Sequence, residues 1–216
     1  MSFTPTELNT IIRERYNAVG DPYYSDAYIL TAIFQAEATL AKEGWLIEDT
    51  FDTTSVALLR EYAYPTNTLA VREVRYNNDP LVKIPMKCDP KGTTTAPTGT
   101  PSNYGIWVAT IFLFPTPDTN GDTIKVRTFV YPAKLSITSA LNLPDEYQID
   151  VVDYVLAQMA LKDGNVQQYN AYTGAWLNTV AKAVKNKARL ARSDRMAVVR
   201  DTYFGDDQIP RERRYF

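Results

Sequence analysis

Residues 104–114, YGIWVATIFLF, form an eleven-residue, largely apolar run between Pro101 on one side and Pro115 and Pro117 on the other. A helix needs about 20 apolar residues to cross a bilayer, so this run is too short to be a membrane span. What remains is a strand buried on both faces or a turn of buried helix. Ile106, Val108, Ile111 and Phe112 are β-branched or aromatic, which favours the strand. The prolines stand outside it, where no ladder donor is lost. The expectation is a central strand over 104–114, paired with residues 122–131 and covered by a second layer.

Its neighbours read the same way. Over residues 50–140 threonine, valine, tyrosine and proline replace alanine, glutamate and leucine. VALLREYAYP, TLAVREVRYNN, PLVKIPM, NYGIWVATIFLFP and DTIKVRTFVYP are each bounded by turn residues, the pattern of an antiparallel meander. Asn77, Asn78 and Asp79 fit a hairpin connection between the second and third, and Asn120 and Gly121 one between the fourth and fifth.

Helical signals flank this region. Thr4, Pro5 and Glu7 have the spacing of a capping box with proline at the first helical position. Leu8, Ile11, Ile12 and Tyr16 follow at helical period. Ser25 opens a second helix, with Ile29, Leu30, Ile33, Phe34, Leu40 and Ala41 along one stripe and Gly44 as its stop. Pro144 begins a third, with Asp145 and Glu146 in its first turn and Ile149, Val152, Val155, Leu156 and Met159 at core spacing. Asp163 and Gly164 interrupt it, and a stripe of Tyr169, Trp176, Leu177, Val180 and Val184 resumes. The last stretch has no sustained period and reads as an extended arm. The fold class is therefore α+β, a helical bundle built from N- and C-terminal helices with an inserted antiparallel β domain. The expected divisions are 1–48, 49–142, 143–190 and an arm over 191–216.

Composition narrows the chemistry. A chain with 45 % hydrophobic and 22 % charged residues has the make-up of a folded protein rather than a disordered one. It has no histidine, which removes Ser-His-Asp, Cys-His and His-metal sites. Cys88 is the single cysteine, so no intrachain disulfide or thiolate cluster is available. Asp118, Asn120 and Asp122 match the start of a calcium loop, but Thr123 and Phe129 stand where an EF-hand needs glycine and glutamate, and a turn explains them. GDD at 205–207 lacks a third ligand and reads as a solvated turn. No catalytic residue, cofactor site or metal site is expected. MSFTPTEL has no charged segment followed by an apolar one, so synthesis and use from the cytoplasm are expected.

Net charge is −2, yet residues 182–216 carry ten basic and five acidic residues, leaving −7 for residues 1–181. Lys182, Lys185, Lys187, Arg189, Arg192 and Arg195 read as a solvated or protein-docking face, since nothing around them supplies base-reading or stacking groups. Fifteen tyrosines exceed what such a core requires and suit half-buried interfaces. Many tyrosines without a catalytic set suggest an assembly component. In the arm, Arg211, Arg213 and Arg214 beside Tyr215 and Phe216, with Tyr203 and Phe204, combine guanidinium forks with aromatic anchors. These seven are the expected partner-binding residues, for a portal or a neighbouring subunit. A nucleic-acid-binding regulator is disfavoured by the acidic body.

The order of features resembles the head-to-tail adaptor (connector) proteins of tailed bacteriophages. Tyr64 and Pro65 end a strand, and Val74 with Tyr76 marks the next. Gly99, Pro101 and Tyr104 lead into the apolar run, and Pro115 with Pro117 closes it. Tyr131, Pro132 and Leu135 follow a basic strand, and Leu143, Pro144 and Tyr147 begin a helix. Together they span roughly residues 5–190, and the arm ending RERRYF departs from the pattern. The resemblance implies a virion protein of the neck that is not an enzyme. It implies a ring, typically of twelve copies, that binds the portal protein, presents a platform to a tail or nozzle protein, and meets DNA only as channel contents, with no membrane. The competing class is a carbohydrate- or receptor-binding β module of a virion tail, which the flanking helices disfavour.

Overall fold

A computed structural model describes residues 2–85, 97–133 and 139–202, the last twelve of these in backbone only. Its contacts divide the chain into a helical unit of residues 1–48 and 129–188 and a β unit that includes residues 49–128.

In the helical unit, α1 (Pro5–Arg15) begins with the capping box that its sequence announces. Thr4 N donates to Glu7 Oε2 at 2.8 Å, and Glu7 N donates to Thr4 Oγ1 at 3.3 Å. The helix buries Leu8 and Ile12. In α2 (Asp26–Gly44), Ser25 caps the start, and Ile29, Ile33, Leu40 and Ala41 are buried while Leu30 and Phe34 pack half-buried beside them. The helix ends at Gly44 as expected, but for a different reason. The left-handed cap residue is Trp45, at φ 53°, whereas a Cβ on Gly44 would lie 2.8 Å from both Ala183 Cβ and Leu46 Cγ. Gly44 serves close packing.

The helix expected from Pro144 is two. A single turn, α3 (Asp145–Gln148), is followed by α4 (Val151–Lys162). The buried Gln148 side chain occupies the break: its Nε2 donates to Leu143 O at 2.7 Å and its Oε1 accepts from Phe3 N at 2.6 Å. Val152, Val155, Leu156 and Met159 fill the core. Gly164, at φ 71°, separates α4 from α5 (Val166–Thr202). The extended arm expected from residue 191 is thus helical backbone for its first twelve residues. They contain no glycine or proline, and extending a formed helix costs far less than starting one. Residues 203–216 lie outside the described residues. Residues 129–133 and 139–142, expected with the β domain, group with the helices; Val130 and Leu141 join that core.

The described β unit has two four-stranded sheets. One has the order β1 (Glu48–Thr54), β8 (Thr123–Val130), β3 (Thr68–Tyr76), β4 (Asp79–Pro80). The other has the order β2 (Glu61–Ala63), β7 (Thr110–Phe114), β6 (Asn103–Trp107), β5 (Val82–Lys83). Both contribute to one core, with Val74, Tyr76, Ile124 and Val126 from the first and Tyr62, Tyr104, Ile111 and Leu113 from the second.

The apolar run is therefore a hairpin and not one strand. Trp107 faces Thr110, Asn103 faces Phe114, and Val108 and Ala109 make the turn. Its expected partner, β8, lies in the other sheet. The second face of β7 is covered by a side chain: the Arg60 guanidinium stands 5.6 Å and 5.0 Å from the ring centres of Phe112 and Phe114. Nor is the region a meander, because β5 pairs with β6 in parallel. The Asn77–Asn78 turn does join β3 to β4, with φ of 49° and 73°. The segment holding Asn120 and Gly121 instead crosses between sheets. Acid-rich β1, EDTFDTT, escaped a reading based on β propensity.

Candidate functional site

Among the described residues, the most exposed large apolar side chains of the β unit gather at two places on the β2–β7 pair. The first is the hairpin turn, where Val108 is 82 % exposed and Trp107 49 %. Val108 has φ 54°, a left-handed conformation that costs a β-branched residue and that glycine or asparagine usually fills. Tyr64 fixes it: its hydroxyl donates to Val108 O at 2.7 Å and its N–H to Ala109 O at 3.4 Å.

The second place is the loop before β2, VALL. Leu58 is 76 % exposed at φ 66°, with Val56 and Leu59 exposed beside it. Tyr62 braces this loop from below, its hydroxyl accepting from Val56 N at 3.1 Å and donating to Leu59 O at 3.0 Å. Ala57 N donates to Asn120 Oδ1 at 2.7 Å, and Leu58 N to Pro117 O at 2.9 Å. The register sets the two tips apart. Ala63 faces Thr110, next to the turn, and Glu61 faces Phe112, so Leu58 lies past the far end of β7, about 17 Å of strand away. The β unit thus holds two rigid apolar tips at opposite ends of one sheet. Exposed, strained and hydrogen-bonded apolar residues suit protein docking.

The calcium-loop residues serve this scaffold. Asp122 accepts from Tyr76 Oη at 2.6 Å, from Asn77 Nδ2 at 2.9 Å and from the Thr119 hydroxyl. These donors, Thr119 foremost, hold its carboxyl down at about 2. With Asn120 Oδ1 holding Ala57 N, both side chains are engaged by protein donors. Among the described residues no group of three or more acids or cysteines is placed to hold a metal ion, and no helix is long and apolar enough to cross a membrane.

Several tyrosines of the helical unit are used internally. Tyr16 and Tyr24 donate to the Asp163 carboxylate, which lowers its pKa, while burial and then that carboxylate push Tyr16 up to about 12. The Lys162 ammonium sits 3.8 Å from the ring centre of Tyr23, 4.8 Å from Tyr28 and 5.0 Å from Tyr24, a geometry of cation–π attraction. In the basic series, Lys187 lies 4.8 Å from the Trp45 ring centre, while Lys182 and Lys185 are exposed. Arg192 and Arg195 have no described side chains. The expected partner-binding residues Tyr203, Phe204, Arg211, Arg213, Arg214, Tyr215 and Phe216 lie outside the described residues, as do Cys88 and GDD 205–207. The two tips were not foreseen. The available signal was VALL, four apolar residues running straight into a strand.

A family model described as SU10 adaptor protein matches residues 4–201. No curated protein matches. With nearly the whole chain covered, the protein belongs to the SU10 adaptor protein family and is a structural adaptor protein of bacteriophage, a virion component.

Proposed function

We propose, from membership of the adaptor family, that the chain is a head-to-tail adaptor of the virion neck that works without chemistry. Copies form a ring, twelve by resemblance to connectors of this kind, bound to the portal protein on one side. The ring offers a platform to a tail or nozzle protein on the other side and continues the DNA channel between them. The observation that carries this reading is the pair of braced tips, Trp107 with Val108 and Val56 with Leu58 and Leu59. An adaptor must hold two different partners, and two stiff apolar projections at opposite ends of one sheet provide two separate contacts. Stiffness favours affinity because little chain freedom is lost on docking. The segment with Tyr203, Phe204, Arg211, Arg213, Arg214, Tyr215 and Phe216 adds a third contact, to the portal or a neighbouring subunit.

Two substitutions test the tips, Val108→Glu and Leu58→Glu. Both side chains are exposed, so each variant is expected to keep its melting temperature. In native mass spectrometry with portal and tail proteins, each is expected to lose one attachment and retain the other. Variants that keep both attachments would overturn the assignment of the tips.

A further inference from the structure

The outward side of α5 is unlike the outward sides of the other helices. Trp176, Thr179 and Ala183 face the core, and Thr179 Oγ1 donates to Asp150 Oδ2 at 2.9 Å. On the side away from them, Gly174, Leu177, Ala181, Val184 and Ala188 are all exposed, Leu177 at 58 % and Val184 at 43 %. Their spacing alternates three and four, which lines them up as one seam. A Cβ added to Gly174 would meet nothing within 4 Å. A seam of small and branched residues lets another backbone approach closely, and among the described residues nothing in its own unit occupies it.

Charge indicates the occupant. Residues 1–48 and 129–181 carry five basic and twelve acidic residues, a net of −7, whereas residues 49–128 carry eight of each. The acidic excess of the chain thus lies wholly in the helical unit. Lys185 is exposed next to the seam and Lys182 is exposed on the same helix, while Lys187 turns inward to the Trp45 ring. One helix carrying positive charge along an apolar seam is complementary to the rest of its own unit in another copy.

We propose that this seam is where one copy of the chain meets the acidic helical unit of the next. The inference rests on the ring reading and deepens it. A ring needs a heterologous contact, one surface meeting a different surface, and segregated charge supplies two such surfaces on one subunit. Opposite charges then select the register and speed the encounter.

The full chain can be followed by native mass spectrometry at rising concentration, alone and with portal rings of the same virus, for wild type, Leu177→Glu, Val184→Glu and Lys185→Glu. All four are expected to melt at the same temperature, because the altered side chains are exposed. Wild type is expected to form the ring, and the Leu177 and Val184 variants to remain single subunits. Lys185→Glu is expected to need a higher concentration to assemble and to lose much of the salt dependence of assembly. Rings formed equally well by wild type and both seam variants would overturn the seam while leaving the ring reading in place. Wild type that stays a single subunit in both settings would remove the ring reading and the seam with it.

Discussion

The helical unit and the β unit solve the same problem, holding a rigid shape, by different means. Helices close their hydrogen bonds locally, so caps such as Thr4 with Glu7 and short reaches such as Ser25 to Tyr28 suffice. Charge is then free to accumulate on the outside. The β unit draws its bonds from distant parts of the chain: Ser55 Oγ donates to Thr119 O, Asp122 N donates to Ser55 Oγ, and Asp122 joins Tyr76, Asn77 and Thr119. Its charges balance, and what it presents is apolar. One unit is suited to electrostatic recognition and the other to wedge-like contacts.

The contrast is testable, beginning with the cores. Ile111 is buried in β7, and Ile111→Asp places an unpaired charge among Tyr62, Val74 and Ile124. A loss of several kcal/mol is expected. Hydrogen exchange should show lost protection in the β strands first, with α2 and α4 retaining theirs; equal loss in both units would break the separation of the two cores. The helical counterpart is Gly44→Ala. Its Cβ would stand 2.8 Å from Ala183 and Leu46, and overpacking of this kind costs about 1–3 kcal/mol. An unchanged denaturation midpoint would show that α5 can move aside freely.

Two carboxyl groups give opposite pH responses. Glu37 is fully buried on α2; one oxygen accepts from Asn142 N at 2.8 Å and the other has no partner among the described residues. Burial raises its pKa in the folded state, so the fold binds its proton more tightly than the unfolded chain. The stability it supports is complete below about pH 4 and is lost as pH rises through the folded value. Glu37→Gln, which cannot ionise, is expected to gain stability at neutral pH and to flatten that slope. A destabilised variant in urea melts at pH 7 would contradict this. Asp122 acts in the opposite sense. With its carboxyl held near 2, its contribution is present above about pH 4 and lost as acid carries the protein down through pH 2. Asp122→Asn should remove that part of the acid transition, and an unaltered acid titration would show the network to be passive.

The legible parts of the sequence were the local ones. Caps, helix stripes and the Asn77–Asn78 turn lie within a few residues of the groups they control. The stripe assigned to α5 shows the limit: Leu177 follows Trp176 directly, and at about 100° per residue adjacent positions cannot face one core, so Leu177 is exposed. The hairpin turn was hidden because Val108 and Ala109 carry no glycine or asparagine signal. Strain there is held by Tyr64, 44 residues away, and no window of sequence contains both. The VALL tip was missed for a different cause: its holder, Tyr62, is near in sequence, but apolar VALL looks like strand until the Tyr62 hydroxyl is seen bonded to Val56 and Leu59.

Electron microscopy of the purified full chain, with and without portal rings, tests the adaptor reading most directly. The expected result is a closed ring of this chain seated on the portal, with the Trp107 and Leu58 tips at contacts to different proteins. Single subunits that leave the portal bare would contradict it.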